Sequence, residues 1–181
     1  MIAVPATVLS FIAVFLLFGL RDTDSPDTAE PAPTQPVPSD PVTTQARDLT
    51  ERQETVCRAL LSQLPDDLRG LTRRPVTAGA EQNAAYGEPP VQLACGVPEV
   101  EVPPTAEVFS FAPEAADGAV CWYETPDGEE SVWTSLGREV PVEIRVPPDH
   151  AEPGQFVTAV SGAVAEMVPP GDSAPPGCAP A

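Results

Sequence analysis

The chain has 181 residues, with nine arginines, no lysine and 27 acidic residues, which give a formal net charge of −18 at pH 7. Such an acidic chain repels nucleic-acid phosphates, which excludes nucleic acid as a partner, and it disfavours contact between the folded part and anionic lipid. Residues 49–181 are long enough for one domain with a single core.

The first 20 residues, 1–20, carry no charged side chain. A helix needs about 20 apolar residues to cross the hydrocarbon core of a membrane, so this segment predicts an uncleaved transmembrane anchor. A cleaved signal peptide, which would leave a secreted protein, is the alternative, although its usual basic start is absent. Arg21 follows directly, and the positive-inside rule therefore opposes export of the rest of the chain. We still expect an extracytoplasmic domain, because of the cysteines considered below.

Residues 21–48 are predicted to be an extended acidic linker. Six prolines alternate with acidic and hydroxyl-bearing residues in this stretch, and aliphatic side chains are nearly absent. Proline opposes both helix and sheet, and so few apolar residues cannot offset the entropy of ordering. We interpret the segment as a spacer, with a proline-motif ligand for a partner as the alternative. The folded domain, with a Pro-rich C-terminal tail, is predicted to occupy residues 49–181.

A helix is predicted to begin after Thr50. Thr50 and Gln53 have the spacing of a capping box, and the apolar residues that follow share one helical face. They are Val56, Cys57, Leu60, Leu61 and Leu64. Pro65 ends the helix, since proline lacks the N–H that a continuing helix would donate.

The only basic cluster of the chain follows this helix and consists of Arg69, Arg73 and Arg74. The simpler interpretation is local pairing with nearby acidic residues such as Asp66 and Asp67. A binding site for an anionic ligand is the alternative.

Short stretches after Pro75 predict β-strands, and a final helix follows them. The strand candidates are residues 91–95, 107–111, 119–125, 130–135 and 140–146. Pro126-Asp127-Gly128 predicts a hairpin turn between the third and fourth candidates, and Pro141 predicts an edge position or a bulge for the last. The final helix is predicted from Gly154 to Met167.

This order of elements predicts an α+β fold. We expect a small antiparallel sheet of about four to five strands, with the N- and C-terminal helices packed on one of its faces. In this prediction the domain follows an N-terminal transmembrane helix.

Two short motifs between these elements are the most specific features of the chain. They are Tyr86-Gly87-Glu88-Pro89-Pro90 and Cys95-Gly96-Val97-Pro98. Over Cys57–Val168 the chain resembles an actinobacterial family of single-span membrane or exported proteins, which carries the domain of unknown function 3515. Tyr86 stands where that family usually has tryptophan. The resemblance implies a location in the cell envelope and supplies no activity.

The four cysteines allow three pairings. We favour Cys57–Cys95, which would join the first helix to the strand at 91–95, and Cys121–Cys178, which would hold the C-terminal tail on the hairpin. Disulfides form in oxidising compartments, and this favours an extracytoplasmic domain. The cysteines lack the close pairing of thiol oxidoreductases and structural zinc sites, so a structural role is the better interpretation.

No residue pattern predicts a catalytic, metal or cofactor site. His150 is the only histidine and lies in a predicted loop, and Ser161 lacks the first glycine of a nucleophile elbow. Trp122, Tyr123 and Arg138 could form a small recognition surface, because neighbouring residues of a strand face opposite sides and one of the two aromatic residues could be exposed. The simpler interpretation assigns the tryptophans to the core.

The sequence therefore predicts a non-enzymatic, membrane-tethered extracytoplasmic domain that acts in binding or scaffolding in the cell envelope. We expect the N-terminal segment to contact the membrane and the domain to bind an envelope protein, without a cofactor. A module for a small anionic ligand or wall precursor is one alternative, and a thiol-redox or carboxylate-dependent envelope enzyme is another.

Overall fold

The computed structural model describes residues 40–111, 119–172 and 178. The predicted anchor, residues 1–20, and residues 21–39 of the predicted linker lie outside this part. Within it, the chain forms two helices and eight strands. The helices are α1 (Glu51–Gln63) and α2 (Pro153–Met167). The strands are β1 (Asp67–Leu68), β2 (Leu71–Arg74), β3 (Asn83–Tyr86), β4 (Val91–Cys95), β5 (Phe109–Phe111), β6 (Val120–Asp127), β7 (Glu130–Leu136) and β8 (Val142–Val146).

All eight strands belong to one sheet in the order β1-β2-β3-β4-β8-β7-β6-β5, and all neighbours are antiparallel. The predicted α+β fold with about four to five strands is therefore wrong, because the domain is mostly β. The prediction missed β1, β2 and β3, which have only two to four residues each. All four residues of β3 are buried, so its sequence lacks the alternation by which a half-buried strand is recognised.

The predicted fold also began with a transmembrane helix, and the described part of the chain contains none. Neither α1 nor α2 is long and apolar enough to cross a membrane. The segment on which the prediction depended, residues 1–20, is outside the described residues.

One face of the sheet carries the hydrophobic core. Leu93 of β4, Ile144 of β8 and Trp133 of β7 lie side by side on it, since they are register partners. The disulfide Cys57–Cys95 joins α1 to this face, and the core cluster includes apolar residues of both helices. Because side chains alternate along each strand, residues between these core positions point to the opposite side of the sheet.

The opposite face is more polar. Gln92 of β4 pairs with Arg145 of β8, which in turn pairs with Val132 of β7, so these residues share that face. Neither of the two described helices packs on it, and we call it the helix-free face.

Residues 40–49, which precede α1, belong to the folded domain, and we call them the N-terminal strap. Val42 is buried and forms an isolated parallel bridge with Val76. Its N–H donates to the carbonyl of Pro75 at 2.8 Å, and its own carbonyl accepts from Thr77 at 2.9 Å. The domain therefore extends at least nine residues ahead of position 49, where the sequence placed its start.

The structure confirms the predicted start of α1 and the predicted hairpin between β6 and β7. The Thr50 hydroxyl accepts from the Gln53 N–H, and the Gln53 side chain accepts from the Thr50 N–H, which is the predicted capping box. The β6–β7 hairpin turns at Gly128, whose positive φ of 65° suits glycine.

Pro141 does not mark an edge strand. It precedes β8, which lies between β4 and β7 in the sheet. The N–H groups of Gly96 and Val97 both donate to the Pro141 carbonyl, at 2.9 and 3.3 Å. Two residues facing one is the arrangement of a β-bulge, which was the other predicted possibility.

Candidate functional site

All four cysteines are paired, as Cys57–Cys95 and Cys121–Cys178, and the predicted connectivity is confirmed. The Cα atoms are 5.6 Å apart in both pairs, within the normal range for a disulfide. Cys57 and Cys95 are fully buried between α1 and β4. The pairs therefore link secondary-structure elements to each other and leave no thiol free.

The basic cluster is not assembled into one site. Arg69 lies over the ring of Phe156 on α2, 5.6 Å from its centroid. Arg73 and Arg74 are neighbours in β2 and so point to opposite faces of the sheet. Arg73 donates to the carbonyl of Leu61 at the end of α1, at 3.3 Å. These three guanidinium groups therefore serve three different parts of the fold.

Arg74 is the buried member of the cluster. It pairs with Glu88 and donates to the carbonyls of Gly87 and Asp40, at 2.9 and 2.7 Å. It thereby joins β2, the β3–β4 turn and the N-terminal strap. Its Nε is buried and has no hydrogen-bond partner among the described residues. The carboxylate and two carbonyls already occupy the terminal nitrogens, so Arg74 acts as a structural link.

The first family motif builds the β3–β4 turn. The buried Tyr86 donates its hydroxyl to the Pro65 carbonyl at 2.9 Å, and burial raises the pKa of this phenol. The Glu88–Pro89 peptide bond is cis. The Pro89 carbonyl lies 2.7 Å from Nε2 of His150. The sequence predicts only that this histidine lies in a loop, and no local signal could have placed it against this turn.

Each of the two motifs contains a glycine at a position where a side chain would strain the backbone and collide with a neighbouring residue. Gly87 and Gly96 have φ values of 72° and 79°, which other residues rarely adopt. A Cβ atom on Gly87 would meet the Leu71 side chain at 2.8 Å, and one on Gly96 would meet Leu49. Pro90 and Val97 are at least half-buried beside these glycines, whereas Pro98 is exposed. The motifs thus describe turns that the fold requires.

Trp122 and Tyr123 face opposite sides of β6, as expected of neighbours in a strand. Trp122 is fully buried, and its Nε1 donates to Oγ of Ser161 on α2 at 3.0 Å. That hydroxyl in turn donates to the Val157 carbonyl at 2.7 Å. Trp122 is therefore a core residue. Tyr123 is half-buried on the helix-free face.

Arg138 holds the end of α2 against the sheet. Its two terminal nitrogens donate to the carbonyls of Val168 and Ala119, at 3.1 and 3.0 Å, and burial lowers the pKa of the guanidinium. It also lines a recess of about 310 Å³ that includes Glu99 and Asp172. With two carboxylates nearby and its terminal nitrogens occupied, Arg138 is poorly placed to receive an anion.

A second recess lies on the helix-free face and is the better candidate for a binding site. Its volume is about 330 Å³, and polar side chains dominate its lining. We call it the polar groove. Its principal residues are Thr43, Arg47, Asn83, Gln92, Glu143 and Arg145. They come from the N-terminal strap, β3, β4 and β8, so the groove exists only where these four segments meet.

The strap wall of the groove is held by two buried amides. The Gln82 side chain accepts from the Arg47 N–H and donates to the Arg47 carbonyl, both at 3.0 Å. Nδ2 of Asn83 donates to the carbonyl of Gln45 at 3.0 Å. Gln82 and Asn83 are 2% and 4% exposed, so both amides would be costly to bury without these partners.

The two arginines of the groove have different surroundings. Arg145 donates to Glu143 at 2.8 Å and to Asp127 at 2.9 Å, so its charge is already balanced. Arg47 forms no ion pair with any residue that the structure describes. Gln92 likewise makes no side-chain hydrogen bond within the described ranges. The groove thus presents one unbalanced cation and one uncommitted amide.

Sequence reasoning missed this groove, although part of the signal was visible. Gln92 in β4 and Glu143 and Arg145 in β8 are the polar members of alternating strands, and alternation alone marks their side of the sheet as non-core. No local pattern indicates that Arg47, from the predicted linker, lies beside them. Among the described residues, no group of three or more His, Cys, Asp or Glu is arranged to hold a metal ion.

Comparison with protein families matches residues 4–173 to the family described as protein of unknown function (DUF3515). A comparison with curated proteins finds no match, and a comparison with solved structures finds none either. The family match spans most of the chain, including both turn motifs and every described strand and helix. The chain therefore belongs to the DUF3515 family.

Proposed function

We propose that this chain is a non-enzymatic binding domain of the cell envelope, which works outside the cytoplasm and binds a membrane- or wall-associated protein through the helix-free face. The observation that carries this proposal is the polar groove, whose strap wall is held by the buried amides of Gln82 and Asn83. Buried side chains are thus committed to positioning a surface segment, which is typical of a preorganised binding surface.

The extracytoplasmic location is supported by the cysteines. Every cysteine of the chain is in a disulfide, and disulfides persist mainly in oxidising compartments. The apolar residues 1–20 would hold the domain to the membrane, and the acidic, proline-rich residues that follow would keep it at a distance from the surface.

The location is tested by disulfide mapping on protein from its native membrane, with free thiols blocked at lysis. We expect Cys57 joined to Cys95 and Cys121 joined to Cys178, with no blocked thiol. Two or more blocked thiols would contradict an extracytoplasmic domain.

The binding role is tested by site-specific photo-crosslinking in intact cells. A photoreactive residue replaces Gln92 in the groove of the full chain, and in the control it replaces Thr158, which is exposed on α2. We expect a crosslinked protein of defined mass at position 92 and none at position 158. The proposal fails if position 92 gives no adduct or if both positions give the same adducts, since the groove would then be no more occupied than a helix surface.

A further inference from the structure

We infer that the polar groove recognises a carboxylate group flanked by hydroxyl or amide groups, and that Arg47 is the residue that binds the carboxylate. This inference rests on the proposed function only in taking the groove as the binding site. It goes further by naming the chemistry that the groove recognises.

The first argument is charge. Arg47 is the cation of the groove without an ion-pair partner among the described residues, whereas Arg145 is bonded to Glu143 and Asp127. The chain as a whole carries a formal charge of −18. In so acidic a protein, a guanidinium without an ion-pair partner attracts a carboxylate locally, even though the chain as a whole is negative. Guanidinium and carboxylate groups also form strong paired hydrogen bonds.

The second argument is preorganisation. Both backbone hydrogen-bonding groups of Arg47 are engaged by the Gln82 side chain, at 3.0 Å each. Gln82 is itself almost fully buried, so it cannot follow the strap if the strap moves. Asn83 fixes the strap two residues earlier, at Gln45. The backbone of Arg47 is therefore positioned before a ligand arrives, which lowers the entropy lost on binding.

The third argument concerns the neighbours of Arg47. Gln92 has an amide with two donors and an acceptor, and Thr43 has a hydroxyl; neither side chain makes a hydrogen bond within the described residues. Such groups suit hydroxyl and amide groups adjacent to a carboxylate. The volume of about 330 Å³ is at the small end for ligand sites, so the groove fits one sugar or one to two amino-acid residues.

The test is ligand-observed saturation-transfer NMR on the full chain in detergent, with two pairs of small probes. Glucuronate is compared with glucose, and N-acetylglycine with N-acetylglycinamide, so that each pair differs mainly in the carboxylate. The two pairs separate a saccharide source from a peptide source of the same chemistry. The variants are Arg47→Gln and, as a control, Arg58→Gln, which removes an exposed α1 arginine that also lacks an ion pair among the described residues.

We expect at least one carboxylate probe to bind about tenfold more tightly than its neutral partner, equivalent to about 1.4 kcal/mol. Arg47→Gln should abolish that difference, and Arg58→Gln should preserve it. The inference is overturned if no carboxylate probe binds at about 10 mM, a level that would reveal millimolar affinities. It is also overturned if the neutral probes bind equally well, or if the two variants behave alike.

These outcomes are separable from those of the crosslinking experiment. An adduct at position 92 without carboxylate preference would leave the groove as a binding site and refute only its chemistry. Absence of both would refute the proposed function as well.

Discussion

Replacing Gln82 by methionine should loosen the N-terminal strap at Arg47, where Gln82 makes both of its hydrogen bonds to the strap. Methionine is close to glutamine in length and volume, so the change removes the amide without creating a large cavity. It deletes the two hydrogen bonds to the Arg47 backbone, both 3.0 Å long. The substituted position is 2% exposed, and so an apolar side chain is tolerated there.

The magnitude follows from those two bonds. Each neutral hydrogen bond contributes about 1 kcal/mol net, so Gln82→Met should lower the free energy of unfolding by about 2 kcal/mol. With a urea dependence of about 2 kcal/mol per molar, the unfolding midpoint should fall by about 1 M. Gln92→Met is the matched control, because the same atoms are exchanged at a partly buried amide without a hydrogen bond in the described structure. It should change stability by less than about 0.5 kcal/mol.

Hydrogen exchange at the Arg47 amide gives an independent measurement. Its N–H donates to the Gln82 side chain, so exchange should be slow in the unmodified chain and much faster in Gln82→Met. The reasoning is refuted if Gln82→Met and Gln92→Met have equal stability, or if the Arg47 amide stays protected in the variant. Either result would mean that contacts other than the Gln82 side chain hold the strap at Arg47.

Two further predictions concern the core. Ser161→Ala leaves the buried Trp122 Nε1 without an acceptor and should lower the free energy of unfolding in urea by about 1–3 kcal/mol. The control Thr158→Ala loses only a similar hydroxyl bond to the carbonyl four residues earlier and should change that free energy by no more than about 0.5 kcal/mol. Equal losses of stability in the two variants would show that the bond from the indole contributes nothing. Burial raises the pKa of Tyr86 above its ordinary 10.0, so the unfolded chain ionises first, and the stability linked to this residue is complete below about pH 10 and falls as pH rises toward the folded-state pKa. Tyr86→Phe should lower the free energy of unfolding by about 1 kcal/mol at neutral pH, because the hydrogen bond to Pro65 is removed. Between about pH 9 and pH 11 the stability of this variant should decline less than that of the unmodified chain. An equal decline in both would assign the alkaline loss of stability to another group.

The features predictable from the sequence are those that depend on a few neighbouring residues. The capping box at Thr50 begins α1 where expected, because the side-chain and backbone groups that form it lie within four residues. The turn at Gly128 joins the neighbouring strands β6 and β7, and it too is a local structure. The two disulfides are the pairing that the sequence favoured, although the four cysteines left three pairings open and only the structure decided among them.

The strand count failed for a physical reason. Strands of two to four residues are stabilised by their neighbours in the sheet, and β3 is buried on both faces, so neither length nor alternation identifies it. The arrangement of the basic cluster was unpredictable for a different reason. Arg73 and Arg74 are adjacent in sequence, but the alternation of a strand sends them to opposite faces, and only the location of β2 reveals this.

The sequence by itself determined the acidic charge, the helix ends, the hairpin and the family, because each depends on composition or on short-range patterns. It favoured the two disulfide pairs, and the structure decided among the three possible pairings. The tertiary structure alone decided that Arg47 lies beside Gln92, Glu143 and Arg145, at positions far apart in the chain. It also decided that Trp122 is core and that Arg138 is bonded to backbone carbonyls. A binding groove depends on contacts between distant segments, and such contacts form only when the sheet and the strap are folded together.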